Sequence, residues 1–100
     1  MKNIITQFDK NLENRVRLGI MSLLMVNDWV DFTTLKEMLN ITDGNLASHI
    51  IALEKCDYIE TFKGFVGKKP KTTYKASDFG KNAFKIHLQV LEQILKSHNI

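Results

Sequence analysis

The chain has one cysteine, Cys56, and one proline, Pro70, among its 100 residues. A lone thiol excludes an internal disulfide framework and fits a reducing compartment. With one proline and five glycines there is no Pro- or Gly-rich linker, so a single domain over 1–100 is expected. No run of about 18 apolar residues occurs, so no ordinary spanning helix is expected. The opening MKNIITQFDKNLENR lacks the apolar core of a signal peptide, and the chain is expected in the cytoplasm. Catalytic motifs are lacking too: no Gly-rich phosphate loop, no HExxH, no credible Ser/His/Asp set. Cys56, His49, His87 and His98 are too scattered for a metal-ligand set. Neither an enzyme, a metal nor a cofactor is expected.

Net charge is small overall and concentrated locally. The whole chain carries +3. Residues 60–75 alone hold Lys63, Lys68, Lys69, Lys71 and Lys75 against Glu60, a local +4, so the remainder is net −1. A short cationic segment is the electrostatic footprint of a phosphate-binding surface, although a solvated loop has the same composition.

Hydrophobic spacing supplies the elements. Ile4, Ile5, Phe8 and Leu12 suggest a short N-terminal helix over 3–10. Leu12, Val16, Ile20, Leu23 and Leu24 mark one face of a helix over 13–26. Trp29–Phe32 reads as a brief strand. Thr34 with Glu37 forms a capping box that opens a short helix to about Leu39. After the break at Asn40-Ile41, Thr42 caps a second helix to about Lys55, with Asp43 in its first turn. Leu46, Ile50 and Leu53 are its inner stripe, which leaves Gly44, Asn45, Ser48, Ala52 and Lys55 outward. Met21, Met25 and Met38 sit at core-type positions.

Two β-branched and aromatic runs follow, 58–62 and 72–76. The lysine-rich stretch 63–71 between them reads as a hairpin tip containing Pro70. Ser77-Asp78 caps a last helix to about Ser97, and 77–97 carries two apolar stripes. One is Phe84, Leu88, Leu91 and Leu95; the other is Phe79, Ala83, Ile86 and Val90. A second stripe needs a second partner, which argues for a homodimer.

A helix-turn-helix followed by a basic hairpin defines a mainly α fold with a small β-hairpin, a winged helix-turn-helix with its core over 12–76. The segments R-L-G-I-M-S-L-L (17–24), D-F-T-T-L-K-E-M-L (31–39), I-T-D-G-N-L-A-S-H-I (41–50), L-E-K-C-D-Y-I-E (53–60), K-G-F-V-G-K-K-P-K-T-T-Y (63–74) and S-D-F-G-K-N-A-F (77–84) carry a resemblance. With them the chain resembles the short winged-helix regulators related to MarR- and ArsR-type repressors. Relatives often have His-Pro-x-Arg before the first helix; here Asn14-Arg15-Val16-Arg17 stands there, and only Arg17 matches.

That resemblance implies a homodimer on double-stranded DNA. Recognition helices over 42–55 would enter successive major grooves, and wings over 63–71 would touch backbone or minor groove. From the recognition helix, Asn45 can pair with adenine, Ser48 can donate or accept, and Gly44 permits close approach. Thr42, beside Asp43, can hold a phosphate at the helix N-terminus. His49 can reach a phosphate or a base. Lys68, Lys69 and Lys71, with Thr72 and Thr73, would meet phosphates, and Arg17 completes the contact set. Ile4, Ile5, Phe8, Phe84, His87, Leu88, Leu91, Ile94 and Leu95 are the expected dimer residues. A small-molecule effector would have to bind between the terminal helices. The competing reading is a winged-helix protein–protein module without DNA binding. Cys56 is expected to fill the turn after the recognition helix.

Overall fold

A computed structural model describes residues 4–97. Helix α1 spans Arg15–Val26, strand β1 Val30–Asp31, helix α2 Phe32–Leu39 and helix α3 Asp43–Lys55. Strands β2, Ile59–Val66, and β3, Lys69–Ala76, form the hairpin, and helix α4 spans Asp78–Ser97. The sheet is antiparallel in the order β1-β3-β2. This is the expected winged helix-turn-helix.

Each helix start is fixed by a side chain that satisfies otherwise unpaired amides. Asn14 Oδ1 accepts from Val16 N–H at 2.8 Å and Arg17 N–H at 3.2 Å, so the departure from His-Pro brings its own cap. Thr42 Oγ1 accepts from Asn45 N–H at 3.2 Å and opens α3 as expected. Ser77 Oγ accepts from Gly80 N–H at 2.9 Å and opens α4. The start of α2 differs from expectation. Asp31, not Thr34, is the cap: its Oδ1 accepts from Thr34 N–H at 2.7 Å. Pairing of β1 with Thr73 and Tyr74 fixes Asp31 in extended backbone, so the helix begins directly after it. Asn40, left-handed at φ 52°, ends α2.

The core joins α1, α2, α3 and the hairpin base. Ile20, Met21, Leu24, Leu35, Leu46 and Leu53 are fully covered, with Val16, Ile50, Tyr74 and Phe84 around them. Leu23 and Met25 are only partly covered. Met38 is 58% exposed, a correction: an eight-residue helix turns only one face inward, and Leu35 and Leu39 occupy it.

Two further expectations change. The N-terminal segment is not an α-helix; it forms short 3-10 turns at Ile4–Gln7 and Lys10–Leu12, the second capped by Asp9. The hairpin strands run to eight residues each and close on a two-residue turn, Gly67-Lys68. Gly67 takes φ 63°, a conformation glycine adopts without a Cβ clash. Pro70 therefore lies within β3, opposite Phe65 and beyond the residues that pair with β1. Having no N–H to donate is tolerated at such an edge position.

Candidate nucleic-acid interface

Helix α3 has two contrasting faces. Leu46, Ile50 and Leu53 anchor it in the core. Thr42, Asp43, Gly44, Asn45 and Ser48 are all exposed at its N-terminal half. The N-terminal half of a helix also presents unpaired amides and the positive end of the dipole. Asp43 is engaged: its carboxylate meets Lys36 of α2 at 2.9 Å and ties the two helices across the turn. Ala52 is half-buried, so it drops from the outward set. Ile51, half-exposed, belongs there instead, in line with Gly44, Ser48 and Lys55. Polarity alone does not single out Ile51. The signal is spacing, since i, i+4, i+7, i+11 from Gly44 trace one face. Ala47 and Ile51 offer an apolar surface of the kind that meets a thymine methyl.

His49 is half-buried. Burial, and then the nearby Arg17 guanidinium, hold its pKa below the ordinary 6.5. At neutral pH it offers a hydrogen bond and not a charge. Arg17 is itself positioned, with Nε donating to the Asn11 carbonyl at 2.9 Å.

The hairpin stands beside α3 and is joined to it. Thr61 Oγ1 donates to Glu54 Oε2 at 2.6 Å. Strand alternation sorts the hairpin side chains onto two faces. Thr61, Lys63, Thr72 and Tyr74 share the α3 side, where with Ile51 they line a cleft. Lys69, Lys71, Thr73 and Lys75 lie on the far side. There Phe62 meets Trp29 edge-on at 6.0 Å between ring centroids, and Lys75 Nζ stands 5.4 Å from the Trp29 ring centre. Trp29 takes φ 57°, rare for a bulky residue.

The expected lysine set is thus divided. Lys68 is at the turn and Lys69 beside it, both exposed. Lys71 approaches Asp31 at 3.6 Å and braces the hairpin against α2. Hydrogen bonds from Thr34, with help from Lys71, lower the Asp31 carboxyl below its ordinary value. Thr72 and Thr73 are half-buried on opposite faces. Lys63, outside the expected contact set, is exposed on the α3 side.

Behind this surface, α4 crosses the hairpin base. Gly80 is the contact point: a Cβ there would lie 2.1 Å from the Tyr58 carbonyl oxygen. The inward line of α4 runs through Gly80, Phe84, His87 and Val90, between the two expected stripes. Phe84 and His87, expected in a dimer contact, are already covered within one chain. His87 Nδ1 accepts from Asp9 N–H at 3.2 Å, and its ring meets Phe8 at 5.8 Å. Phe79 and Ile86 on one flank, and Leu88, Leu91 and Leu95 on the other, are exposed. Ile94 and Phe8 are half-buried and Ile5 is exposed, while the side chain of Ile4 lies outside the described residues.

A cleft of about 300 Å³ opens between the N-terminal segment and α4, lined by Asp9, Tyr58, Phe79, Ile86 and His87 among others. Tyr58 donates to Asp9 there, and burial together with that bond pushes its pKa up to about 12. Cys56 caps α3; its Sγ donates to the Leu53 carbonyl at 3.4 Å, and burial raises its pKa, as suits a packing thiol. Among the described residues no group of His, Cys, Asp and Glu could hold a metal ion, and no helix is long and apolar enough to cross a membrane.

Comparison with known proteins agrees with this arrangement. The profile of the winged helix DNA-binding domain family matches residues 16–95. An uncharacterised protein of Methanocaldococcus jannaschii is 39% identical over 82 residues, covering 82% of this chain and 89% of its own. A transcriptional regulator homologue from Pyrococcus horikoshii OT3 superposes with a TM-score of 0.84 at 32% identity, over 97% of this chain and 94% of that one. A MarR-like transcription regulator from Bacillus cereus shares the fold, with a TM-score of 0.70 at 19% identity, over 94% of this chain and 70% of that one.

Proposed function

The chain belongs to the winged helix DNA-binding domain family, and from that premise we propose that it is a sequence-specific, double-stranded DNA-binding transcriptional regulator acting as a homodimer in the cytoplasm. The observation that carries this reading is one of placement. The exposed, capped N-terminal half of α3 stands beside a hairpin that holds the chain's whole positive excess. Thr42, Gly44, Asn45, Ser48 and Ile51 read the major groove, with Arg17 and His49 beside them. Lys63, Lys68 and Lys69 meet phosphates, while Lys71, Thr72 and Thr73 support the hairpin and its backbone contacts. Asp43 orients α3 through Lys36.

The homodimer is supported by the exposed flanks of α4. Leu88, Leu91 and Leu95 lie on one side of the helix, toward its C-terminal half, as an apolar row with water on it. Ile5, which is exposed, and Ile94, which is half-buried, belong to the proposed contact as well. The Asp9–Tyr58–His87 cleft is the place for a small effector, should one act on this protein.

Selection of bound sequences from a random duplex pool, at stated salt, tests the reading. A near-palindrome with half-sites about one helical turn apart is expected from a two-fold dimer. Recovery of no motif, with weak binding throughout, would overturn it and favour a protein–protein module.

A further inference from the structure

The tip of the hairpin combines features that its lysines do not explain. Phe65 is 75% exposed and Val66 is 60% exposed, immediately before the Gly67-Lys68 turn. Solubility disfavours an aromatic ring at the end of a projecting arm, and electrostatic attachment does not require one. Its mounting is a continuous ladder. Phe65 faces Pro70 across the ladder, and the paired strands run without interruption from Ile59↔Ala76 to Val66↔Lys69. Alternation places Phe65 on the same side as Lys63, the side that faces α3. Lys63 shares the face of the ring, Lys68 stands in the turn and Lys69 lies on the opposite face, so the tip as a whole is positively charged.

We propose that Phe65 is an apolar wedge that enters the minor groove of duplex DNA, partly unstacks one base step and bends the duplex. The lysines deliver the tip to the phosphates on either side of the groove, and the ring supplies the apolar insertion. Side chains of this type, Phe among them, kink duplexes toward the major groove when inserted from the minor groove. The charge of the tip is what selects DNA as occupant, since an apolar partner surface would not favour three lysines on the same tip. Flexible pyrimidine–purine steps should therefore recur where the tip reaches the flank of the site, without base contacts to explain them. The proposal rests on the duplex-binding reading above and adds a deformation to it.

The test uses the full chain and a short duplex recovered from the random pool, with a donor and an acceptor dye at its two ends. Energy transfer should rise when the native protein binds. With Phe65→Ser the transfer should fall back to the free-duplex value at saturating protein, while the salt slope and the thermal midpoint stay unchanged. Phe65→Leu should retain most of the bend. A bend unaltered by Phe65→Ser, or binding by the native protein without any rise in transfer, would overturn the wedge and leave duplex binding intact. Failure of the native protein to bind any duplex would instead remove the underlying reading, and the wedge with it.

Discussion

Helix α3 and the hairpin stand side by side, yet they are held by different forces. Helix α3 is fixed by burial: Leu46, Ile50 and Leu53 lock one face, and apart from Ile51 what remains outward is small or polar. The hairpin buries little beyond Ile59, Tyr74 and Ala76 at its base. It is held by its ladder and by lateral braces, namely Thr61 to Glu54, Lys71 to Asp31 and Phe62 against Trp29. A helix clamped by its core can hold donors and acceptors to the tolerance that base reading needs. An arm carrying flexible ammonium groups suits attraction to a uniform backbone. Under the proposed function, the difference places specificity in α3 and affinity in the hairpin.

The largest expected effect breaks the clamp itself. Leu53→Ala should cost about 2–5 kcal/mol, because the side chain is fully covered in the core that joins α3 to α1 and the hairpin base. Thermal unfolding should register a drop of many degrees, and all DNA binding should follow it. No single substitution in the outer hairpin should approach that loss.

The next two separate the regions by what they bind. Lys68→Ala with Lys69→Ala should reduce the salt slope of binding by roughly two units, equally on selected and random duplexes. Asn45→Ala should cost about 1–3 kcal/mol on the selected site and little elsewhere. Titrations at several salt concentrations check both. Within the hairpin, Phe62→Ala should cost about 0.5–1.5 kcal/mol by removing the edge contact. Trp29 is the chain's sole tryptophan, so its emission should shift to the red as the ring is uncovered.

The smallest effect concerns His49. Its pKa is lowered in the folded protein, so the unfolded chain takes up the proton first as pH falls below about 6.5. Stability should decline in that window, and His49→Asn should remove that part of the decline. At pH 7.5 the same variant should leave the salt slope unchanged, because a neutral imidazole displaces no counterion.

Elements governed by local chemistry were legible in the sequence. Thr42 and Ser77 announce their helices because the cap is made within three residues. The inner stripe of α3 follows from spacing alone. What was not legible depends on other segments. Both Asp31 and Thr34 can cap a helix, and only the pairing of β1 with β3 decides for Asp31. The outer hairpin alternates no apolar face toward a core, so its strand length shows up only in the ladder. Helix α4 carries apolar residues on both flanks of its inward line, and periodicity could not show that Gly80 against the Tyr58 carbonyl sets its rotation. Within the proposed interface, the exposure of Asn45, Ser48 and Lys68 followed from the sequence. Ile51 and Lys63 emerged only once the faces of α3 and the hairpin had been sorted.

Specificity in α3 and affinity in the hairpin can be read in one measurement: the salt dependence of binding to a selected and a scrambled duplex by the native chain, by Asn45→Ala and by Lys68→Ala with Lys69→Ala. The asparagine variant should keep the native slope while the ratio between the two duplexes collapses. The lysine variant should lose slope on both duplexes and keep the ratio. If the lysine variant lost the ratio and the asparagine variant lost the slope, the division of labour between α3 and the hairpin would be contradicted.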